Sequence, residues 1–415
     1  MTDDTVTETV EEFRQRASAW IEQNLPRWDE TALSSRELQN RIFDGGFGGI
    51  AFPTEYGGAG LTLEHQKAFY DAAAELDRQV PTAYMVSIGM LGPTLLDHGS
   101  HEAKLKFLPA LLRGDEEWIQ LLSEPRGGSD MAGAITRLTR DGDAFILSGA
   151  KMWSTGAHHA DYGLCLCRTD WDAPKHRGLS MIAVPLKDTP GITIEQTRSA
   201  SGQAGEFCQE FFDDVVLPAE NLIGELNGGW TVAQRLLFHE RNAVGNVGYG
   251  YLGLMTRRSG DAGSSMFGPP SPTALAQAAE RRGVSDAVRN LAVDAYIQSI
   301  VGPLTSARIM TGMRVGTHQG QWGSLLKLQS SVGGHETIRA ALAVLGAEAV
   351  MWDGDDVQLD NLGTMWLGSR GSTIAGGTSE MQRNIISERL LGLPREPSSD
   401  RDVPFNEVIR NLGKS

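Results

Sequence analysis

The chain has 415 residues, of which 40% are hydrophobic and 21% charged, ample for a sizeable core and for about two or three domains. Its net charge of −15 disfavours nucleic acid, because phosphate contacts need a basic surface. No run approaches the roughly 18 consecutive apolar residues that a membrane helix requires, and the acidic start Met1-Thr2-Asp3-Asp4 lacks the features of a secretory or mitochondrial leader. A cytoplasmic protein of bacterial type is therefore expected.

Periodicity divides the chain into three zones. Residues 1–117 read as helical. Val6, Val10, Phe13, Ala17, Trp20 and Ile21 recur at three- and four-residue spacing until Pro26, and similar stripes run from Leu63 to Leu76 and from Glu102 to Leu112. The glycines at 45–49 and 57–60 read as turns, since no Lys-Ser/Thr ending or preceding strand supports a phosphate loop. Residues 118–229 change to short runs bounded by Gly, Pro or Asp: Ala144–Leu147, Gly163–Cys167, Leu179–Leu186, Ile192–Gln196 and Phe207–Leu217. Arg140-Asp141-Gly142-Asp143 reads as the turn of a hairpin. Residues 230–415 return to helix as far as about Leu391, interrupted by a Gly/Ser/Pro-rich stretch from Ser259 to Pro272 that reads as a surface loop.

Metal chemistry is set aside. Cys165 and Cys167 point to one face of a strand and, with Cys208, read as buried thiols. His158-His159 would diverge on an extended segment and has no third ligand arranged beside it.

Four motifs carry a resemblance. Leu122-Ser123-Glu124-Pro125-Arg126-Gly127-Gly128-Ser129-Asp130 resembles the TEPxAGSD signature of flavin-dependent acyl-CoA dehydrogenases. Gly149-Ala150-Lys151-Met152-Trp153-Ser154-Thr155 resembles their GxKxWIT segment. Phe211–Pro218 is similar to the strand that closes their β domain, and Ile374–Asn384 to their EGTSEIQRN helix start. The order and the α–β–α layout match over nearly the whole chain. The resemblance implies an α+β fold with an N-terminal α-helical domain, a middle antiparallel β-barrel or sandwich domain and a C-terminal four-helix-bundle domain. It implies FAD as cofactor and an acyl-CoA thioester as substrate, oxidised to the trans-2-enoyl-CoA, with flavin N5 receiving the hydride. Electrons would pass on to an electron-transfer flavoprotein or a similar acceptor.

Residue by residue, the resemblance puts Gln120, the Leu122 main chain and the Ser123 hydroxyl at the flavin ring edge. Gly128 and Ser129 fall near the FAD pyrophosphate, with Ser129 also near CoA. Trp153 would cover the isoalloxazine and Thr155 would face N5, while Thr378 and Glu380 would contact the cofactor from the C-terminal helix start. The residue types suit these places, since small turn residues let backbone N–H groups approach a phosphate and a helix N-terminus favours an anion. Trp153 also has a plain reading as strand core, Thr378 as a simple N-cap.

The reaction needs a carboxylate to remove the α-proton. In many relatives that Glu immediately precedes Gly-Thr in the C-terminal motif, where this chain has Gly376. In the isovaleryl- and long-chain branches it lies instead on a helix after the β module, just before an Arg. Phe238-His239-Glu240-Arg241 matches that arrangement, so Glu240 is the expected base and Arg241 the expected CoA-side arginine. The competing reading makes Glu240 a surface carboxylate or a partner of Arg235. Gly376 keeps its main-chain N–H, which would grip the thioester oxygen.

The chain also departs from the family pattern. Ser264 stands where an Arg normally precedes Phe267-Gly268, and a Gly-Gly-x-Gly loop is reduced to Leu345-Gly346-Ala347. Both segments usually reach a neighbouring subunit's FAD. That asymmetry, with Arg168-Thr169-Asp170 and Lys175-His176-Arg177-Gly178, resembles the actinobacterial sterol side-chain branch. There, two unlike chains form an α2β2 complex; a homotetramer is the other expectation. Ala243, Gly245 and Gly248 could widen an acyl pocket or mark close helix packing. The alternative functions are a partner subunit with reduced activity of its own, and an acyl-CoA oxidase or flavin monooxygenase on the same fold.

Overall fold

The computed structural model describes residues 8–81, 84–200, 207–244, 271–318, 320–350, 362–398 and 400–412. They fall into two compact units, the first comprising Met1–Thr197, Gly205–Leu254 and Ser398–Ser415, the second Arg198–Ala204 and Met255–Pro397.

The first unit begins with five helices: α1 (Val10–Asn24), α2 (Ser35–Ile42), α3 (Leu63–Glu75), α4 (Gly92–His98) and α5 (His101–Arg113). Capping boxes start α1 and α2, Thr9 with Glu12 and Ser34 with Glu37, each satisfying end N–H groups on both sides of the cap. Phe13, Ala17 and Ile21 bury one face of α1 against Phe69, Ala72 and Ala73 of α3. The short α2 and α4 escaped the periodicity because eight and seven residues give too few turns to register.

Eight strands follow: β1 (Trp118–Leu121), β2 (Arg137–Asp141), β3 (Ala144–Thr155), β4 (Tyr162–Arg168), β5 (Leu179–Pro185), β6 (Ile192–Thr197), β7 (Phe207–Pro218) and β8 (Leu222–Ile223). Their order is β6-β7-β3-β2-β4-β5-β8, with β1 added beside β4. Asp141 pairs with Ala144 across the expected hairpin, and only Gly142 takes positive φ there. The sheet is mostly antiparallel, but β1 and β2 both meet β4 in parallel. β4 and β5 are buried on both faces, so they read as continuous apolar runs. Leu164, Leu166, Met181 and Ala183 pack with Leu91, Leu108 and Leu111 of the helices. Cys165, Cys167, Ile182 and Val184 pack inward against Leu147, Phe212 and Val215 of β3 and β7. The three thiols are free and buried, and burial pushes Cys165 up to about 12.

One ion pair sits within this apolar interior. Lys151 of β3 reaches Glu124, between β1 and β2, at 2.9 Å, and both side chains are almost wholly buried. Its ammonium also donates to the Leu122 carbonyl at 3.1 Å, while Glu124 accepts the amides of Ile135 and Thr136 at 2.8 and 2.9 Å. Burial alone would raise the Glu124 pKa; the ammonium and the two amides outweigh it and hold the carboxylate below its usual range.

After β8 comes α6 (Gly229–Val244), whose Val232, Ala233, Leu236 and Ala243 join the first core. A further helix beyond Leu391, α12 (Phe405–Leu412), also belongs to this unit. Phe405 N donates to Ala173 O and Asn406 N to Trp171 O, and the Phe405 ring lies 3.8 Å from the Arg168 guanidinium carbon. Arg168, fully buried, donates to the carbonyls of Ala132, Ala134 and Lys175. Burial lowers its pKa to about 10.

Among the described residues, the second unit holds the helices α7 (Pro272–Arg282), α8 (Asp286–Arg314), α9 (Gly323–Leu345) and α10 (Leu362–Ile374), with the short α11 (Ser379–Ile385). Small residues let α7 to α10 approach closely: Ala279, Ala292, Ala295, Ala340 and Ala341 form much of its core. The stretch 259–270 lies outside the described residues.

Removing one member of the Lys151–Glu124 pair should strand a buried charge. Lys151→Met is expected to cost about 3–5 kcal/mol in denaturant unfolding, and adding Glu124→Gln should restore much of it.

Candidate active site

β1 leads into the segment Leu122–Asp130. Glu124 is buried, Ser123 half-buried, and residues 125–130 are exposed. Glu124 and Gly127 exchange backbone hydrogen bonds of 3.2 and 2.9 Å, closing a tight turn, and Met152 N donates to Ser123 O at 3.0 Å. A Cβ at Gly127 would meet nothing within 4 Å, and one at Gly128 only the Ser123 side chain, at 3.4 Å from Oγ. The turn therefore offers open backbone beside Ser123 and Ser129. Its far end is tied down by Lys175, which bridges Asp130 at 3.2 Å and Asp400 at 3.1 Å.

β3 shifts register against β7 between Met152 and Ser154. At that irregularity Trp153 has φ 68° and is 54% exposed, so it is not strand core. A bulky side chain in left-handed backbone is uncommon and costs about 1–3 kcal/mol, which the surrounding structure must sustain. Thr155 is exposed two residues on, while Ser154 between them is buried.

α6 runs beside β1. Its His239 and Arg235 both bind Asp97 of α4, His239 Nε2 at 2.8 Å and Arg235 Nε at 2.5 Å from the same Oδ2. Burial disfavours charge on His239, and Asp97 opposes that only in part. The ion pair available to Arg235 is thus made with Asp97, and Glu240 turns elsewhere. It is half-buried, and Gln120 Nε2 of β1 donates to its Oε2 at 3.3 Å. That bond fixes the orientation of the amide, whose other atom, Oε1, is buried without a hydrogen-bond partner among the described residues. Arg241 is half-buried on the last turn of α6, and Ala243 is fully buried in the core, which favours its packing reading; Gly245 and Gly248 lie outside the described residues.

Within the second unit, Gly376 and Gly377 have φ 66° and 91°. Any side chain at 376 would be strained there, so glycine suits the backbone as found. Thr378 caps α11 by accepting Met381 N at 3.1 Å. The buried Gln382 donates to the carbonyls of Gly376 and Gly377 at 3.1 and 3.2 Å, which fixes the turn. Glu380 is exposed, and Gly346 with φ 62° ends α9. Ser264 to Gly268 lie outside the described residues.

His158 and His159 do not diverge, because they lie in a turn; their rings meet edge to face at 4.6 Å. Among the described residues no cluster of three or more His, Cys, Asp or Glu could hold a metal.

Several consequential side chains were not singled out by sequence reasoning: Glu124, Lys151, Glu210, Asp97 and Gln382. Strand phase carried a signal for two of them. Lys151 shares the inward phase of Phe145 and Leu147, and Glu210 that of Cys208 and Phe212. Two opposite charges at buried phases, one of them close to the buried turn residue Glu124, call for a partner. Asp97 and Gln382 gave no such signal.

Comparison with known proteins follows this geometry. Residues 7–115 match the acyl-CoA dehydrogenase N-terminal domain, 120–215 the middle domain and 273–391 the C-terminal domain. Acyl-CoA dehydrogenase IpdE1 of Mycobacterium tuberculosis is 32% identical over 407 residues, covering 93% of this chain and 98% of that protein. Among solved structures, the Tcur3481–Tcur3483 steroid ACAD superposes with a TM-score of 0.70 at 26% identity, over 93% of this chain and 98% of its counterpart. The ChsE4–ChsE5 complex from Mycobacterium tuberculosis does so with 0.67 at 26%, over 95% and 100%. The chain belongs to the acyl-CoA dehydrogenase family. It is accordingly an oxidoreductase and a flavoprotein, with FAD as the cofactor. No described helix is long and apolar enough to cross a membrane.

The residues present fit that cofactor. A flavin ring edge carries an N–H donor between two carbonyl acceptors, and Gln120 Oε1 is a buried acceptor awaiting a donor. The open turn at Gly127–Ser129 suits a diphosphate, and the exposed face of Trp153 suits a ring.

Glu210 supplies a stability test. Burial raises its pKa to about 7, against an ordinary 4.5. Between those values the folded chain keeps a proton that the unfolded chain has released, so stability falls as pH rises and the full penalty applies above pH 7. Glu210→Gln is expected to stabilise the protein at pH 8, by something on the order of 2 kcal/mol, and to lose that advantage near pH 4.5. Thermal unfolding at the two pH values measures it.

Proposed function

We propose that this acyl-CoA dehydrogenase converts an acyl-CoA thioester to the trans-2-enoyl-CoA, with Glu240 as the base that removes the α-proton. The observation that carries the reading is the link from β1 to α6: one Gln120 amide atom holds Glu240, and the other is a buried acceptor with no partner among the described residues. A single side chain would then register the base against the flavin edge.

FAD, when bound, supplies the two-electron acceptor that no side chain can provide. The chain's own residues do the rest. The Glu240 carboxylate takes the proton from the carbon next to the thioester, its position set by Gln120 on one side and by the Asp97–His239–Arg235 cluster that fixes the roll of α6. Leu122 would meet the ring edge through its N–H, since its carbonyl already accepts from Lys151. Ser123 would join it there, Gly128 and Ser129 would hold phosphate, and Trp153 and Thr155 would face the ring. From the second unit, the motif assigns the Gly376 N–H to the thioester oxygen, where a preorganised donor is worth about 3–4 kcal/mol in the transition state. The same motif assigns Thr378 and Glu380 to the cofactor, and Arg241 of α6 is assigned to the CoA side.

A bulky, steroid-like acyl group is the substrate class that the relatives favour, since one solved neighbour is a steroid ACAD. A second, unlike subunit is the favoured partner, because ChsE4–ChsE5 is a complex of two differently named chains. An apolar stripe along α8 supports an interface: Val293, Tyr296, Ile297, Ile300, Val301 and Leu304 are each 42–66% exposed at helical spacing. Electrons would leave to an electron-transfer flavoprotein.

Glu240→Gln is expected to lower kcat for dye reduction by about 10²–10⁴-fold while leaving FAD content unchanged. A near wild-type rate would remove Glu240 as base. Purified alone, the chain is expected to carry well under one FAD per subunit, rising when a partner subunit is co-expressed. Full occupancy without a partner argues for the homotetramer.

A further inference from the structure

Inside the sheet one carboxyl group is left over from the pairings described above. Glu210 on β7 has no exposed surface. Its Oε2 accepts the Ser154 hydroxyl at 3.1 Å, and Oε1 has no hydrogen-bond partner among the described residues. The residue opposite on β3 is Lys151, but that ammonium is engaged by Glu124 and the Leu122 carbonyl. The residue opposite on β6 is Ile194. The nearby thiols, Cys165 on β4 and Cys208 on β7, are both held in the neutral form by burial. An acid so poorly compensated destabilises the fold, and an apolar residue would pack there at less cost. What it holds is therefore informative. Ser154 sits at the register shift of β3, between Trp153 in left-handed backbone and the exposed Thr155.

We propose that Glu210 is a positioning residue of the flavin site, which through Ser154 locks the β3 irregularity that turns Trp153 and Thr155 outward. The proposal rests on the assignment of those two residues to the flavin. Strained backbone persists only where its surroundings over-determine it, and the buried Ser154–Glu210 bond supplies that constraint from the inner face of the strand. A charged acceptor holds a hydroxyl more strongly than a neutral one. With Glu210 raised by burial to titrate near pH 7, against the opposing pull of the Ser154 hydroxyl and the Lys151 charge, the clamp is tighter at pH 8 than at pH 6.

The test is FAD binding to the deflavinated full-length protein, read as the dissociation constant and as quenching of flavin fluorescence, at pH 6 and pH 8. Ser154→Ala and Glu210→Leu are expected to weaken FAD binding about tenfold at pH 8 and to reduce quenching of the bound flavin. Glu210→Gln, a neutral acceptor that can still take the hydroxyl, should bind FAD at both pH values about as tightly as wild type does at pH 6, and so lose the change between pH 6 and pH 8. Trp153→Phe serves as the reference for direct contact. If it alters quenching while Ser154→Ala and Glu210→Leu leave affinity and quenching unchanged, the clamp is overturned and the flavin assignment stands. If Trp153→Phe also changes nothing, the flavin assignment of Trp153 falls, and the clamp falls with it.

Discussion

Lys151 and Glu124 face one another in a region filled mostly by apolar side chains and Cys, with Glu210 buried opposite Lys151, and several parts of the first unit take their positions from that contact. The ammonium joins β3 to the Leu122 carbonyl; the carboxylate joins the same turn to the start of β2 through two amides. Two motifs far apart in the chain are thereby one mechanical piece. The pair is stabilising only as a pair, since each charge is too deeply buried to stand alone. Its value lies in geometry: Ser123 and the glycine turn are held a fixed distance from Trp153 and Thr155, with the Met152–Ser123 backbone bond as a second tie.

The surroundings of Glu240 are organised by the same economy of buried polar groups. Asp97 collects His239 and Arg235, which sets the rotation of α6 about its axis and directs Glu240 towards β1. His239, the neighbour of Glu240 in the chain, is thus engaged in structure. Gln120 completes the link between sheet and helix.

Much of this was legible beforehand. The helix, sheet, helix order followed from a change of hydrophobic period, and the four motifs identified the family, whose domains match three long stretches of the chain. Trp153 and Thr155 could be named from their motif, but the left-handed backbone that exposes Trp153 could not, because a register shift depends on a partner strand some 55 residues away. The two parallel pairings to β4 were equally invisible, as strand partners are a tertiary property. Lys151 and Glu124 were quoted within motifs yet passed over, since a charge in a short pattern reads as surface until its strand phase is considered. Helices α2 and α4 were too short to betray themselves by periodicity.

The C-terminal segment closes over the loop between β4 and β5, where Lys175 meets Asp400 across 225 positions and Phe405 covers Arg168. The first unit is consequently not finished when its strands have been synthesised. Arg168 and its three carbonyl bonds stay without their aromatic cover until the whole second unit has left the ribosome. Vectorial synthesis therefore cannot mature this chain one unit at a time. Residues beyond 398 seal a unit whose strands were made long before them, and a nascent chain arrested before residue 398 would present the Trp171–Gly178 loop bare to solvent and to other chains.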